Sequence, residues 1–494
     1  MKRFLLISLT TIFITQIANA QFIYQDRVRT YTTDSIHTIP RQPWKAAGEV
    51  VGINLGVWAF NRYIVGEDFA MINGSTIKDN LSSLPRWDTD KFDTNLLAHP
   101  YHGSLYFNAA RSNGMGFWES MPYTVGGSLV WEYFMENEPP SLNDLIATTF
   151  GGVELGEITF RLSDLFIDNR TTGIERIGRE VLSGIISPIR GINRVVSGEA
   201  WKQSMSKGRS FKDVPVNFVT HVGVRGLAQQ EDLENKSVGM HFGMSIEYGE
   251  PYNDDYYMPY EWFRLHVGAD LFSSQPLVSQ VNAIGALWGK TVWTDSKNNR
   301  TLTAGVFQHF DYYDSFLNMK DGSPGDAPYR ISQAAAVGGG LLYNKKTMGT
   351  EEVEVFAEGY LNAILLGASS SDYFRIDERD YNMGSGYSIK AFAGLTYKKR
   401  WGFTMQIENY HIFTWRGYDE NIDWNMVDHE SLNVQGDEGN ARLAVFSSNL
   451  YYMHSKNLTF NLSNRSFARR THYKLYEDVD RVVSDIMLGI SFKL

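Results

Sequence analysis

Val238-Gly239-Met240-His241-Phe242-Gly243-Met244-Ser245-Ile246-Glu247-Tyr248 alternates without a break. Its even positions are all apolar, and its odd positions are small or polar. A strand sends successive side chains to opposite faces, so this stretch predicts a strand with one apolar and one wet face. The next segment repeats the pattern: Phe263, Leu265, Val267, Ala269 and Leu271 oppose Arg264, His266, Gly268 and Asp270. Further on, Tyr387, Ile389, Ala391, Ala393, Leu395 and Tyr397 oppose Ser388, Lys390, Gly394, Thr396 and Lys398, with Phe392 the exception on the second face. These runs exceed the usual soluble strand and suit tilted membrane-spanning strands, with aromatic residues at both ends of the apolar face. The chain also stops on such a pattern, with Ile486, Leu488, Ile490, Phe492 and Leu494 on one face. An amphipathic last strand of this kind resembles the signal read by the bacterial barrel-assembly machinery, although that pattern usually ends in an aromatic residue.

Segments of this character fall at 213–226, 236–249, 261–272, 278–293, 300–313, 329–344, 351–367, 385–398, 400–416, 438–453, 457–470 and 480–494. They predict an antiparallel transmembrane β-barrel of about twelve strands over 210–494. Short turns at 343–348 and 398–400 contrast with long connections at 250–260, 313–328 and 415–439. Short turns on one side and long loops on the other is the outer-membrane arrangement. Lumen-facing positions would carry His241, Glu247, Arg264, His266, Asp270, Glu354, Glu358, Lys390, Glu408 and Arg442. Their mixed charges read as a solvated or salt-bridged lumen, or as a polar path.

Ahead of the barrel the period becomes helical. Residues 1–20 read as a cleaved export signal: Lys2 and Arg3, a short apolar stretch, then Ala18-Asn19-Ala20. Residues 21–43 read as an extended segment and 44–200 as a helical domain, a periplasmic cap or a partial plug of the lumen. The fold class is therefore α+β. Gly48, Gly52 and Gly56 lie on one stripe, as do Gly152 and Gly156, and such stripes point to close helix packing. Helices are expected over 46–64, from Pro100, over 123–136, after a Ser141 cap, and after Thr172. The last carries Ile174, Ile177, Val181, Ile185 and Ile189 on one side, with a kink at Pro188.

Within apolar helical sequence, His99, His102, Glu132, Asp144, Glu154 and Glu157 are the one concentration of ionisable groups. Buried groups of this kind must pair or do chemistry. His99, His102, Glu132 and Glu154 are therefore the candidates for an envelope enzyme acting on lipid or glycan; the competing reading is that they fix helix packing. No metal site is expected, because His-Glu-x-x-His is absent and three-residue His spacing across a proline chelates poorly. No cofactor is implied. The chain has no Cys and a net charge of −10, which excludes disulfides and thiol chemistry and argues against a nucleic-acid partner. Lipid hydrolysis in the barrel is the runner-up: His241, His266 and His309 face inward, His411 lies on the apolar register without an identifiable serine partner, and no Gly-x-Ser-x-Gly occurs.

The elements Asn95-Leu96-Leu97-Ala98-His99-Pro100-Tyr101-His102-Gly103, Gly126-Gly127 through Trp131-Glu132, Ser141 to Asp144, and Gly151-Gly152-Val153-Glu154-Leu155-Gly156-Glu157 stand in order. Over residues 70–180 the chain resembles the uncharacterised family called domain of unknown function 3943. The resemblance implies an envelope protein whose helical part precedes a barrel; it implies no activity or ligand. Together these readings make the chain an outer-membrane protein whose partners are outer-membrane lipid and the assembly machinery, serving small-solute passage or envelope organisation without catalysis, with an envelope lipid- or glycan-modifying enzyme as the alternative.

Overall fold

In a computed structural model, residues 35–36, 39–208, 213–229, 236–252, 255–271, 275–315, 329–347, 352–376, 379–422, 426 and 432–494 are described. The expected export signal lies outside them, as does most of the extended segment. Twelve antiparallel strands close into a barrel. In chain order they are β1 (Val216–Gln229), β2 (Lys236–Tyr248), β3 (Phe263–Leu271), β4 (Val278–Asp295), β5 (Arg300–Asp314), β6 (Arg330–Lys345), β7 (Val353–Ser370), β8 (Tyr381–Tyr397), β9 (Trp401–Thr414), β10 (Gly439–Met453), β11 (Leu458–Tyr473) and β12 (Val479–Lys493). Each pairs with its neighbour in sequence, and β12 closes on β1 with Ile490 opposite Val222. Closure satisfies every wall strand on both edges, which a sheet in hydrocarbon requires.

The alternation read from the sequence sets the two faces. Val224, Leu361, Ile389, Ile407, Phe446, Leu450, Leu462, Ile486 and Leu488 all point outward and are exposed. Trp293, Tyr397, Trp401 and Phe492 ring the short-turn end, and Tyr387 and Trp415 the other. From Tyr387 to Tyr397 a strand rises about 33 Å; at a tilt near 40° that is roughly 25 Å, the height of an outer-membrane apolar band. The chain enters and leaves the barrel at the short-turn end. One connection departs from the expected pattern: β2 and β3, whose connection at 250–260 reads as a long outer loop, are joined at that same end. Arg442, expected in the lumen, is exposed beside outward-facing His411 instead.

Seven helices are described ahead of the barrel: α1 (Pro43–Phe60), α2 (Gly74–Ser82), α3 (His99–Ser112), α4 (Phe117–Phe134), α5 (Leu142–Asp164), α6 (Gly173–Ile186) and α7 (Pro188–Val196). Ser141 caps α5 through the Asp144 N–H at 3.2 Å. The kink expected at Pro188 is a full break between α6 and α7, because proline cannot donate to the ladder and starts a new helix. The sequence reading missed α2, whose Asn73 forms a capping box with Thr76.

The helices meet the barrel on its outward register. Phe92, Leu96, Phe107, Phe117 and Val153 share one buried cluster with Tyr248, Phe263, Val281, Ala283, Phe310, Tyr312, Leu366 and Met383. On β5, Phe310 and Tyr312 are outward, whereas Asp311 and Tyr313 reach lumen partners. Gln308 donates to the Phe150 carbonyl at 2.9 Å, and Arg161 to the Pro259 carbonyl at 2.7 Å. Bulges prepare the docking patch: Ala334 and Ala335 together oppose Phe310, and Leu365 and Leu366 oppose Ser385. The described contacts thus set the helical region beside the wall, and lumen side chains fill the space that a plug would take.

Candidate functional site

The lumen is filled unevenly. Towards the long-loop end, Tyr313, Tyr329, Ile364, Tyr410, Ile412 and Phe467 form a buried cluster, with the Tyr329 and Phe467 rings stacked at 3.7 Å. Below it lies a charged layer. Arg225 donates to Asp270 at 2.5 Å, to Asp485 at 3.0 Å and to Tyr329 at 2.5 Å. Arg465 also reaches Asp485, at 2.8 Å, and crosses the lumen to Gln280. Beside it Lys390 pairs with Asp311 and stands 3.7 Å from Glu408. Tyr410 and Asn282 complete Asp311, at 2.9 and 2.8 Å, and Tyr313 completes Glu408 at 2.8 Å. Every charge in the layer has a partner, as burial demands.

The half of the lumen nearer the short turns holds a chamber of about 470 Å³. Its wall carries a hydrogen-bonded chain from Ser491 to His221 (2.7 Å), His221 to Ser245 (3.0 Å) and Ser245 to His266 (2.9 Å). Asn461 extends it, donating to Ser491 at 2.6 Å. Gln406 and Asn449 line the chamber further round the wall. His241 is held by Asp270 at 2.8 Å. At the chamber's short-turn side Arg264 bridges Glu247 at 2.9 Å and Glu358 at 3.0 Å, and Tyr252 donates to Glu358 at 2.6 Å. Glu354 sits at the rim and accepts from Thr347 at 2.8 Å. No sheet amide around Ser245 is free to hold an oxyanion, since β2 is paired on both sides there.

The helical region has a polar interior of its own. His99 Nε2 lies 3.4 Å from Asp144 and 4.0 Å from Asp90. Asp88 accepts from Asn95 at 2.6 Å and from Ser141 at 2.9 Å. Glu132 accepts the Ser141 N–H at 2.7 Å. His102 turns elsewhere, to Tyr106 at 3.0 Å and edge-on to Trp131 at 5.0 Å. Glu154 stands ten residues from Asp144, roughly 15 Å along the helix. It is fully buried, and neither of its carboxyl oxygens has a hydrogen-bond partner among the described residues. Glu157 instead takes Arg111 and Arg161, both at 2.7 Å. The four candidates therefore do not converge: His99 and Glu132 join Asp88, Asp90 and Asp144, while His102 and Glu154 belong to other neighbourhoods. Among the described residues no group of His, Asp and Glu side chains is arranged to hold a metal ion.

The two glycine stripes also part company. A Cβ on Gly152 would stand 2.6 Å from Gly103, and one on Gly156 2.8 Å from Phe107, so α3 and α5 cross backbone to backbone. At Gly48, Gly52 and Gly56 a Cβ would meet nothing within 4 Å. The packing read into that first stripe is corrected: no described neighbour stands over it.

Residues 84–189 match the family model described as Domain of unknown function (DUF3943). The DUF3943 segment spans α3 to α6 and the first two residues of α7, so it holds the Gly103–Gly152 crossing, the polar interior and most of the helical surface on the wall. No curated protein matches the chain. Among solved structures the barrel is similar to the NanC porin, at 12% identity over 55% of this chain and 100% of that one, with a TM-score of 0.25. It is also similar to the outer-membrane channel DcaP of Acinetobacter baumannii, at 10% identity over 57% of this chain and 97% of that one, TM-score 0.23. The Pseudomonas putida toluene transporter TodX matches at 10% over 56% and 88%, TM-score 0.21. Outside the DUF3943 segment, sequence reasoning missed Arg225, Arg465, Asp311 and Asp485. Asp311 stands two residues from inward-facing His309, and Asp485 lies on the face opposite Ile486 and Leu488, so both fall on the wet side of their strands.

Proposed function

We propose that this chain is an integral outer-membrane barrel whose lumen takes up a small, uncharged, hydrogen-bonding solute from the short-turn side and holds its long-loop end shut. The observation that carries this reading is the polar chamber of about 470 Å³ inside a wall with an apolar outer face. The chamber's cations are matched by carboxylates, which leaves His, Ser, Asn and Gln groups to meet a solute. Such a lining favours hydroxyl-rich molecules over ions. Residues 1–20 serve export on this reading, and β12, ending beside Leu494, addresses the chain to the assembly machinery. The outer membrane is its site, and lipid its immediate partner.

The test is swelling of proteoliposomes in an isosmotic pentose. The wild-type barrel should swell them slowly, because the Tyr329–Phe467 stack fills the far end. Phe467→Ala should raise the rate several-fold. Equal rates in the two proteins would overturn the passage reading.

A further inference from the structure

The last two helices are built inside out. On α6, Arg176 and Arg179 are buried, while Ile174 (89% exposed), Ile177, Val181 and Ile185 face away from the protein. On α7, Arg190 and Arg194 are buried, while Ile192, Val195 and Val196 are exposed. The buried guanidiniums are fully engaged. Arg176 donates to the Asp168, Ala200 and Glu199 carbonyls, Arg190 to the Phe160 carbonyl at 2.9 Å, and Arg194 to Glu180 at 2.8 Å. A helix beside water turns its apolar stripe to the core. These two do the reverse, and α1, which buries Ala46, Val50 and Asn54 on one side, leaves Val51, Leu55 and Phe60 exposed on the other.

Where these helices stand supplies the reason. The start of α5 lies with the long-loop end: Asn95 beneath it donates to Tyr381 at 2.7 Å, and Trp87 N–H to Asn433. Its last turns lie with the short-turn end, through Arg161 and Pro259. A helix of 23 residues is about 34 Å long, close to the thickness of a bilayer's hydrocarbon core. The wall that α5 follows is the outward register, and that register carries the exposed apolar belt elsewhere on the barrel. No helix among the described residues is long and apolar enough to cross a membrane by itself. The charges of α5 are turned to α3 and the wall, and the apolar exterior is supplied by its neighbours.

We infer that the exposed face of α1, α6 and α7 is covered by the acyl chains of the membrane, so that the helical region is a lateral, lipid-embedded flank of the barrel. An apolar groove of about 430 Å³ between α6 and α7, lined by Ile177, Val181, Gly184, Gly191, Ile192 and Val195, then seats acyl chain at the inner leaflet. The inference rests on the outer-membrane reading above.

Because the chain has no cysteine, single labels are clean. The variants Ile177→Cys, Val181→Cys and Ile192→Cys in the full chain, with Leu361→Cys on the barrel belt and Lys202→Cys as reference sites, are refolded into phosphatidylcholine/phosphatidylglycerol vesicles and labelled with a nitroxide. Oxygen and a water-soluble nickel chelate then report each label's surroundings. The expected result is that positions 177, 181 and 192 match position 361, with high oxygen and low nickel collision. If they match position 202 while 361 remains lipid-like, the flank is overturned and the barrel stands. If they are shielded from both probes and the particle is a dimer, a second copy covers the face and the inference also fails. A nickel-accessible position 361 would instead sink the membrane barrel itself.

Discussion

Gly152→Ala and Gly52→Ala are the same change in the same kind of element, and they should move stability in opposite directions. At Gly152 the added methyl meets the Gly103 backbone at 2.6 Å, and Gly103 in turn sits against the Thr148 carbonyl. Backbone cannot swing aside as a side chain can, so α3 and α5 must separate by roughly 1 Å. A gap of that size forfeits up to about half the dispersion well of each facing pair. Overpacking of this kind costs about 1–3 kcal/mol, and a backbone obstacle belongs at the upper end. Alanine recovers about 1 kcal/mol of helix propensity, which leaves a net loss of about 1–2 kcal/mol. At Gly52 nothing lies within 4 Å, so the propensity gain of about 1 kcal/mol stands alone. The assay is chemical denaturation of the purified protein in detergent, following the helical circular-dichroism band, with heat-modifiability on gels reporting the barrel separately. A stable Gly152→Ala protein, or a Gly52→Ala protein weakened as much, would refute the crossing geometry.

Lys390→Met strands Asp311 and Glu408 in the lumen and should cost about 3–5 kcal/mol of barrel stability, read as a lowered denaturation midpoint. Adding Asp311→Asn should restore part of it, and a cost below about 1 kcal/mol in the single variant would show that the lysine is not the pivot of the layer. Burial disfavours charge on Asp372, but the two 2.7 Å bonds from Arg469 and one from Tyr473 outweigh it and hold its carboxyl below the usual range. A depressed carboxyl stabilises above its unfolded value and loses that contribution as pH falls through the folded one. Amide exchange at 371–376 should therefore quicken below about pH 4 in the wild type, and Asp372→Asn should remove that step. Glu154→Gln replaces an orphan carboxyl by a neutral amide of equal size and should leave the unfolding midpoint unchanged or higher; a clear drop would reveal a partner for the carboxylate.

The wall was legible because its physics is local. Alternation at Val238–Tyr248 fixes the face of each side chain without knowing its neighbours, and all twelve segments fall within a few residues of the observed strands. The helical region was legible in its elements and less so in its faces. Ile174, Ile177, Val181 and Ile185 form a stripe that a soluble frame would bury; which way it points depends on the solvent outside, which periodicity does not contain. Likewise the spacing of Gly48, Gly52 and Gly56 equals that of Gly152 and Gly156, and only the partner separates them. His99, His102, Glu132 and Glu154 share one apolar helical region of the sequence, yet helix geometry leaves only His99 and Glu132 in one neighbourhood and sends His102 and Glu154 elsewhere. A local signal for the docking patch did exist: strict alternation fails at Ala334-Ala335-Ala336, where a bulge doubles the outward residue beneath α5.

The central claim is that the helices flank the wall, and one cross-linking pair tests it most directly. Phe92 lies 5.3 Å, ring to ring, from Tyr312, while adjacent Tyr313 points into the lumen to Glu408. In the cysteine-free chain, Phe92→Cys should cross-link to Tyr312→Cys under mild oxidation in native membranes and fail with Tyr313→Cys. Efficient cross-linking at 313 and none at 312 would place the helices inside the barrel and contradict the account.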